Sequence, residues 1–263
     1  MMDYGADLFK GTAWYYSRYR PLYPSSLLRF LVNKFSLNGD GRLLDLGCGT
    51  GQLTLRLNDW FQEIIGIDTE TEMLDEAVHL SNVNRVDNAI WLQGRAEERS
   101  SDWGSFQLMI IAKAFHWMDR ESILEILYNS SDDNGGIAII DYDIDKYEPL
   151  HWKHKVNEIV KVWLGDERRA GNSTYTPPKE RFEDTVTKSR FRDVERHGLP
   201  SFSYHWTVDS IIGNLYSTSF ASKRLFGENL EKFENDLKSA LMDIDSSGVF
   251  TEELSVSVIT AFK

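Results

Sequence analysis

The stretch RLLDLGCGTGQLTLRL, from Arg42 to Leu57, constrains the fold more than any other part of the chain. It opens as an apolar run rich in Leu, passes through Gly47, Gly49 and Gly51, and leaves with Leu53, Leu55 and Leu57, a pattern of strand, Gly-rich turn and helix. Glycine takes positive φ without a Cβ clash and lets a ligand come close to the backbone, and a helix opening at Thr50 or Gly51 presents unpaired N–H groups. A turn of this kind binds a ligand, and its residue types narrow the choice. A dinucleotide fingerprint needs G-x-G-x-x-G, whereas the spacing here is G-x-G-x-G, with Gln52 and Leu53 where a third glycine would fall. A phosphate loop needs Gly-Lys-Ser/Thr, and none follows. Asp45, two residues before the first glycine, suits a ligand with an ammonium group better than a pyrophosphate.

With Asp45, Gly47, Gly49 and Gly51 in register, the chain resembles the class I S-adenosylmethionine (SAM)-dependent methyltransferases, whose first motif is D-x-G-x-G-x-G. Downstream, EIIGIDTETEMLDEAVHL is a short apolar strand ending at Asp68 and then a helix. An acid about 20 residues beyond the glycines is where a doubly wound sheet places a carboxylate for the ribose hydroxyls, and the same acid can cap the helix. The resemblance assigns Asp68 to the ribose and the pair Met73 and Leu74 to the adenine face, with Thr69 between them. The third strand reads AIWLQGRAEE, Ala89 to Glu98, and the family often ends it in Gly-Asp-Ala. Gly94, Arg95, Ala96 and Glu97 stand there instead, which moves the adenine contact to the backbone at Ala96 or Glu97 and leaves Arg95 to stack on the ring. Near the N-terminus, YYSRYRPLYP is similar to a Y-x-x-Y-R-P-x-Y-P segment of the small-molecule branch, which implies a cover over the ligand and a pairing of Arg20 with the methionyl carboxylate. SAM is the implied cofactor and S-adenosyl-L-homocysteine (SAH) the product.

The fourth strand, FQLMIIAKAFHWM, runs from Phe106 to Met118, with Gln107 where the family usually carries Asp. Ligands sit at the carboxyl ends of strands in open α/β sheets. His116 and Trp117 match a His-Trp pair found in one methyltransferase branch, which makes His116 a candidate base or substrate hydrogen-bond partner. Lys113 is either a grip for an anionic group or a solvated lysine. A helix from Arg120 to about Asn129 precedes SSDDNGG, where Gly135 and Gly136 read as the turn into a fifth strand, Ile137 to Ile144. Tyr142, near its carboxyl end, is a second candidate catalytic residue.

Beyond that strand the alternation of strand and helix breaks. Residues 145–190 read as helical, with Trp152, Val156, Ile159, Val160 and Trp163 on one face, a loop at GNSTYTPP and another helix from Lys179. VERHGLPSFSYHWTV and VFTEELSVSVITAF alternate as antiparallel partners, with a helical stretch from Asp209 to Asp243 between them. The expected fold is α/β: a doubly wound, seven-stranded, mostly parallel sheet of the Rossmann-like methyltransferase kind. A helical cap comes from the N-terminus and from the insertion after strand five. Residues 1–263 are expected to form one domain, with 1–40 as N-terminal cover and 145–190 as cap. Ser25 or Ser26 caps the helix that leads into the first strand.

A formal net charge of −12 and a pI near 5.0 argue against nucleic-acid and anionic-membrane partners, whose binding rests on Lys and Arg. The single cysteine, Cys48, excludes an internal disulfide and a Cys-rich zinc site, and His151 with His154 lacks a third ligand. An N-terminus with acids and no apolar run, and no apolar stretch of about 20 residues, give a cytoplasmic expectation. The expected partner is a small-molecule methyl acceptor bound among Trp14, Tyr16, Tyr19, Trp152, Tyr175, Tyr204 and Trp206, or a small carboxylic acid held by Lys113, Arg18 or Arg20. Specialised or natural-product metabolism is the expected setting. The alternative is a SAM-binding regulator, or a protein that modifies the cofactor itself. O-, N- and C-methylation are not separated at this level, nor is oligomeric state.

Overall fold

The computed structural model describes residues 8–99, 103–143, 150–167, 169–170, 173–174 and 180–263. Five strands are laid down in parallel: β1 (Arg42–Leu46), β2 (Glu63–Asp68), β3 (Ala89–Gln93), β4 (Phe106–Ala112) and β5 (Ser131–Tyr142). Two more, β8 (Arg192–Gly198) and β11 (Val256–Phe262), join antiparallel, giving a seven-stranded sheet in the order β3-β2-β1-β4-β5-β11-β8. The order reverses between β1 and β4, the switch point where such sheets open a crevice at their carboxyl ends.

The sheet is apolar on both sides because helices cover both. On one face, Leu44, Met109, Ile111, Ile137 and Ile139 pack with Ile123, Leu124 and Leu127 of α6 (Arg120–Asn129) and Val186 of α8 (Phe182–Thr187). On the other, Leu43, Ile64, Leu108, Ile110 and Ile140 pack with Leu27 and Leu31 of α2 (Ser25–Lys34) and Leu57 of α3 (Thr54–Leu57). Neighbouring residues of one strand thus fall into opposite clusters, as the strand period of two requires. Among the described residues, no helix is long and apolar enough to cross a membrane.

A third cluster stands apart from the sheet. It joins Trp152, Val156 and Val160 of α7 (His151–Leu164), Ile211, Ile212 and Leu215 of α9 (Val208–Tyr216), Phe233, Leu237 and Leu241 of α10 (Leu230–Ile244), and Trp206 and Phe250. The last two lie on a separate two-stranded ribbon of β9 (Phe202–Thr207) and β10 (Val249–Leu254). The cover therefore draws on residues 202–254 as well as on the segment after strand five. Between α7 and α8 the described residues hold a short hairpin, β6 (Arg169–Ala170) with β7 (Ser173–Thr174), rather than continuous helix. Ile144, Tyr175 and Lys179 lie outside the described residues.

Several boundaries depart from the pattern in the sequence. The two C-terminal runs do pair, but as two ladders: Pro200, which has no N–H to donate, separates β8 from β9, and Ser255 separates β10 from β11. Since Val256 pairs with Tyr142, the β9–β10 ribbon projects past the carboxyl edge of β5. Gly135 and Gly136 lie inside β5, not before it, at a register shift where Ser131 pairs with Phe106 and Gly136 with Leu108. Strand pairing demands glycine there, because a Cβ on Gly136 would stand 2.3 Å from the Ala261 carbonyl oxygen. The third strand ends at Gln93 and the fourth at Ala112, both short of the spans Ala89–Glu98 and Phe106–Met118 read from the sequence. α2 follows Pro24, whose side chain offers no cap, so Ser25 is the first helical residue instead of the cap.

Candidate active site

β1 delivers Asp45 to the carboxyl edge of the sheet with its side chain buried, 2% exposed. Its Oδ2 accepts the Thr54 hydroxyl at 2.7 Å, while no described group hydrogen-bonds its buried Oδ1. Burial pushes the Asp45 carboxyl up to about 7, against the lowering effect of the Thr54 bond, and nearby Asp68 adds to the rise. A carboxyl in this state is poised for a cation that would restore its charge.

The turn after β1 holds Gly47, Gly49 and Gly51 at φ +68°, +54° and +77°. Two of these glycines are also required by space: an added Cβ would lie 2.4 Å from Ala114 Cβ at Gly47, and 2.5 Å from the Trp91 ring at Gly51. The turn folds on itself before any helix forms, with Gly51 N–H donating to Cys48 O and Leu55 N–H to Gly51 O. α3 opens at Thr54, not at Thr50 or Gly51, and is a single turn. The buried hydroxyl of Thr50 and the side-chain nitrogen of Gln52 have no hydrogen-bond partner among the described residues.

Asp68 ends β2 and ties the two loops together. Its Oδ2 accepts the Gly49 N–H at 2.8 Å and its Oδ1 the Glu70 N–H at 2.9 Å. Burial raises its pKa, and hydrogen bonds from the Glu70, Gly49 and Thr69 backbones pull it back. Exposed Thr69 follows, and Met73 and Leu74 are buried in the first turn of α4 (Thr71–Asn84). Arg95, Ala96 and Glu97 turn directly from Gly94 into α5 (Ala96–Arg99), with Arg95 Nη2 3.8 Å from Glu97 Oε1.

The N-terminal helix α1 (Ala13–Tyr19) closes over this loop. The Tyr16 ring lies against Gly49, 3.6 Å from where a Cβ would be, and the Arg20 guanidinium stands over the same ring at 5.0 Å. Burial raises the Tyr16 pKa, Arg20 lowers it, and both Asp68 and Asp45 raise it, so the phenol sits among all three charges. Arg20 donates through Nη2 to Ser217 O at 3.2 Å, and its buried Nε has no partner among the described residues. α1 is fastened to α4 by Gly11 N–H to Glu72, and by Ser17 and Arg18 to Glu76. Arg18 is thereby engaged away from the crevice, and Trp14 is half exposed. Tyr16, expected among the aromatics around the acceptor, lies against the glycine turn instead, and Thr50, Gln52 and Thr54 join Asp45 and Arg20 around that turn without having been singled out as contacts by motif spacing.

At the ends of β4 and β5, three candidates are already in contact with the protein. Lys113 pairs with Asp141 at 2.6 Å at the partly exposed rim of the sheet, so its charge is matched by a carboxylate. Tyr142 donates its hydroxyl to Pro21 O at 3.1 Å and stacks on Tyr23 with centroids 5.7 Å apart. Burial pushes its hydroxyl well above the ordinary phenol range, with Tyr16 adding to the rise, so it stays protonated and is a poor base. His116 lies not on the strand but in the single turn Phe115–Trp117 that follows it, half buried, its ring 4.5 Å from that of Trp117. Trp152 belongs to the cap core, where Trp206 donates its indole N–H to Glu252 at 2.8 Å. His151 and His154 share a groove with Glu158 and Asp243 between α7 and α10, yet among the described residues no group of three such side chains is placed to hold a metal.

A family model described as "Methyltransferase domain" matches residues 43–133, the segment from β1 into β5. The chain is 30% identical over 190 residues to a Saccharomyces cerevisiae protein named Probable S-adenosylmethionine-dependent methyltransferase CRG1, covering 69% of this chain and 64% of the yeast protein. It is 27% identical over 186 residues to the ubiquinone/menaquinone biosynthesis C-methyltransferase UbiE of Citrifermentans bemidjiense, covering 65% of this chain and 79% of that one. Among solved structures, phosphoethanolamine N-methyltransferase 2 of Haemonchus contortus, in complex with phosphomonomethylethanolamine and S-adenosylhomocysteine, superposes with a TM-score of 0.58. That match covers 100% of this chain and 60% of the other, at 17% identity, a likeness of fold.

Proposed function

The chain belongs to the class I SAM-dependent methyltransferases, and on that premise we propose that it passes the methyl group of SAM to a small organic acceptor. The observation that carries this reading is the ring of buried polar atoms left open around the glycine turn: Asp45 Oδ1, Thr50 Oγ1, Gln52 Nε2 and Arg20 Nε. Buried polar groups are nearly always paired, so a cluster of open ones marks a place built for a polar ligand. An amino-acid arm with an ammonium and a carboxylate fits between an acid and a guanidinium of this kind. Asp45 then takes the ammonium and Arg20 Nε the carboxylate, Asp68 takes the ribose hydroxyls, and Met73 lines the adenine with the backbone at Ala96 and Glu97. The glycines leave the backbone bare where the ligand passes, and Tyr16 shields it from water.

SAM, when bound, supplies a methyl group on a sulfonium, an electrophile that needs an aligned nucleophile. The protein's part is therefore orientation, which can account for roughly 7–11 kcal/mol of a barrier. The acceptor enters between Tyr142, at the carboxyl edge of β5, and the β9–β10 ribbon, whose inward side carries Tyr204 and Trp206. An apolar, aromatic-lined site of this sort suits a small molecule of specialised metabolism. His116 stands at the same edge as a hydrogen-bond partner for the acceptor.

The test is transfer of label from methyl-labelled SAM to a small-molecule extract of the producing cell. Label in an extractable product supports the proposal, whereas tight SAM binding with no transfer in any extract favours a regulator. Asp68→Ala, which leaves two backbone N–H groups without their carboxylate, should weaken SAM binding by about tenfold or more; unaltered affinity would sink the ribose assignment.

A further inference from the structure

A second polar arrangement at the edge of β4 and β5 is not used by the cofactor reading. Lys113 follows β4 at φ +57°, a left-handed conformation that glycine adopts freely and a residue with a Cβ adopts at a cost. Its N–H donates to Ile140 O at 3.0 Å, which fixes this turn against β5. Its ammonium lies 2.6 Å from Asp141 Oδ1, and the same oxygen accepts the Tyr142 N–H at 2.7 Å. Oδ1 is thus fully engaged, while among the described residues Asp141 Oδ2 takes no hydrogen bond. Both side chains are about 30% exposed, at 30% and 28%, so the pair faces open space at the rim and is not sealed in the core.

The pair is next to the cofactor turn. Ala114, which follows Lys113, touches Gly47 so closely that no Cβ fits between them. Tyr23, stacked on Tyr142, has its pKa raised chiefly by burial, then by Tyr16 and Tyr142, and also by both Asp141 and Asp45, so one phenol feels both carboxylates. A bare ammonium here would repel a sulfonium; paired with Asp141, it does not. What remains is a carboxylate held by a cation and a backbone N–H with one oxygen free, a preorganised hydrogen-bond acceptor.

Building on the methyl-transfer reading, we propose that Asp141 Oδ2 accepts a hydrogen bond from the methyl acceptor and orients it, so that the nucleophilic atom is a hydroxyl oxygen or an amine nitrogen carrying hydrogen, with Lys113 as the positioning residue. The left-handed turn at Lys113 is what brings its ammonium round to the next strand's carboxylate. Asp141 acts on the substrate directly, whereas Lys113 acts through Asp141.

Sinefungin tests this without knowledge of the acceptor, because it carries an ammonium where SAM carries its sulfonium methyl group, and SAH carries nothing there. Calorimetric affinities of both ligands are compared in the wild type, Asp141→Asn and Lys113→Gln. Asp141→Asn should lower the preference for sinefungin over SAH by about tenfold or more, the loss of one charge-assisted hydrogen bond, while SAH affinity holds within about twofold. Lys113→Gln, which takes away the cation that positions Asp141, should lower the preference in the same direction and by less than Asp141→Asn. An unchanged preference, or equal weakening of both ligands, overturns the proposal in favour of a structural clip. SAH failing to bind the wild type overturns the cofactor reading instead. The labelled product of the transfer assay gives an independent arm: O- or N-methyl supports the proposal and C-methyl overturns it.

Discussion

Asp45→Asn should make the ligand-free protein more stable at neutral pH and at the same time weaken its hold on SAH. Burial raises this carboxyl from its ordinary 3.8 to about 7. At 1.36 kcal/mol per unit, that rise corresponds to about 4 kcal/mol of native-state destabilisation once the group is charged. A carboxyl whose folded pKa lies above its unfolded value binds more protons in the native state, so stability falls as pH rises between the two values. The contribution is fully present below about pH 4 and lost above about pH 7. Asn carries no charge to bury, and its carbonyl oxygen still accepts the Thr54 hydroxyl, so the variant's stability should be flat over that window. Binding imposes the opposite requirement, because an ammonium at Oδ1 selects the ionised form. Wild-type affinity for SAH should therefore climb with pH below about 7, by up to tenfold per unit, with uptake of ligand releasing up to about one proton. Urea melts across the window measure the first effect, and calorimetry in two buffers of different ionisation enthalpy measures the second. A wild-type affinity that stays level from about pH 5.5 to 8 with no proton release, or an Asn variant less stable than wild type at about pH 8, refutes the reasoning.

Arg20→Met should cost SAH roughly tenfold or more in affinity and leave 5′-methylthioadenosine, which lacks the amino-acid arm, unaffected; equal losses for both ligands would place Arg20 elsewhere. Gly47→Ala meets both a left-handed φ of +68° and Ala114, so a urea melt should show a loss of about 2–5 kcal/mol. Gly11→Ala, at φ +74° with nothing near, should lose about 1–2 kcal/mol, and equal losses at the two sites would refute the close approach. Tyr142→Phe removes a hydrogen bond to Pro21 and should cost about 1 kcal/mol in stability while the pH dependence of transfer is retained; a changed pH profile would restore Tyr142 as a base.

The parallel half of the fold is readable in the sequence because its central strands are buried on both faces, and continuous apolar runs such as Leu108–Ile111 and Ile137–Ile140 mark such strands. Run ends are less telling. The apolar run past Ala112 continues through Phe115 to Met118, yet these residues pack as a turn against α8 and the N-terminal segment, since Lys113 has already left the extended region. Gly135 and Gly136 carry the composition of a turn, but β4 and β11 crowd them from both sides, and that crowding exists only in the assembled sheet. The ribbon of β9 and β10 shows the alternation of any half-buried strand, and nothing local says that its apolar side meets a cap of helices instead of the main sheet.

The site divides along the same line. Asp45, the three glycines and Asp68 lie within two strand ends and one loop, so their spacing alone brings them together, and the structure joins Asp68 to Gly49 directly. Arg20, Tyr16 and Lys113 depend on chain that arrives from elsewhere. Whether an arginine meets a ligand or a glutamate is decided by which helix lies opposite, and here neighbouring Arg18 and Arg20 part ways, one to Glu76 and one to the crevice. Lys113 illustrates the limit most clearly. Beside a cationic cofactor a lone lysine makes no electrostatic sense, and its role follows only once β5 sets Asp141 beside it and turns a misplaced charge into half of a neutral pair. The cofactor half of such a site is therefore written in short spacing, whereas the acceptor half is written in strand order.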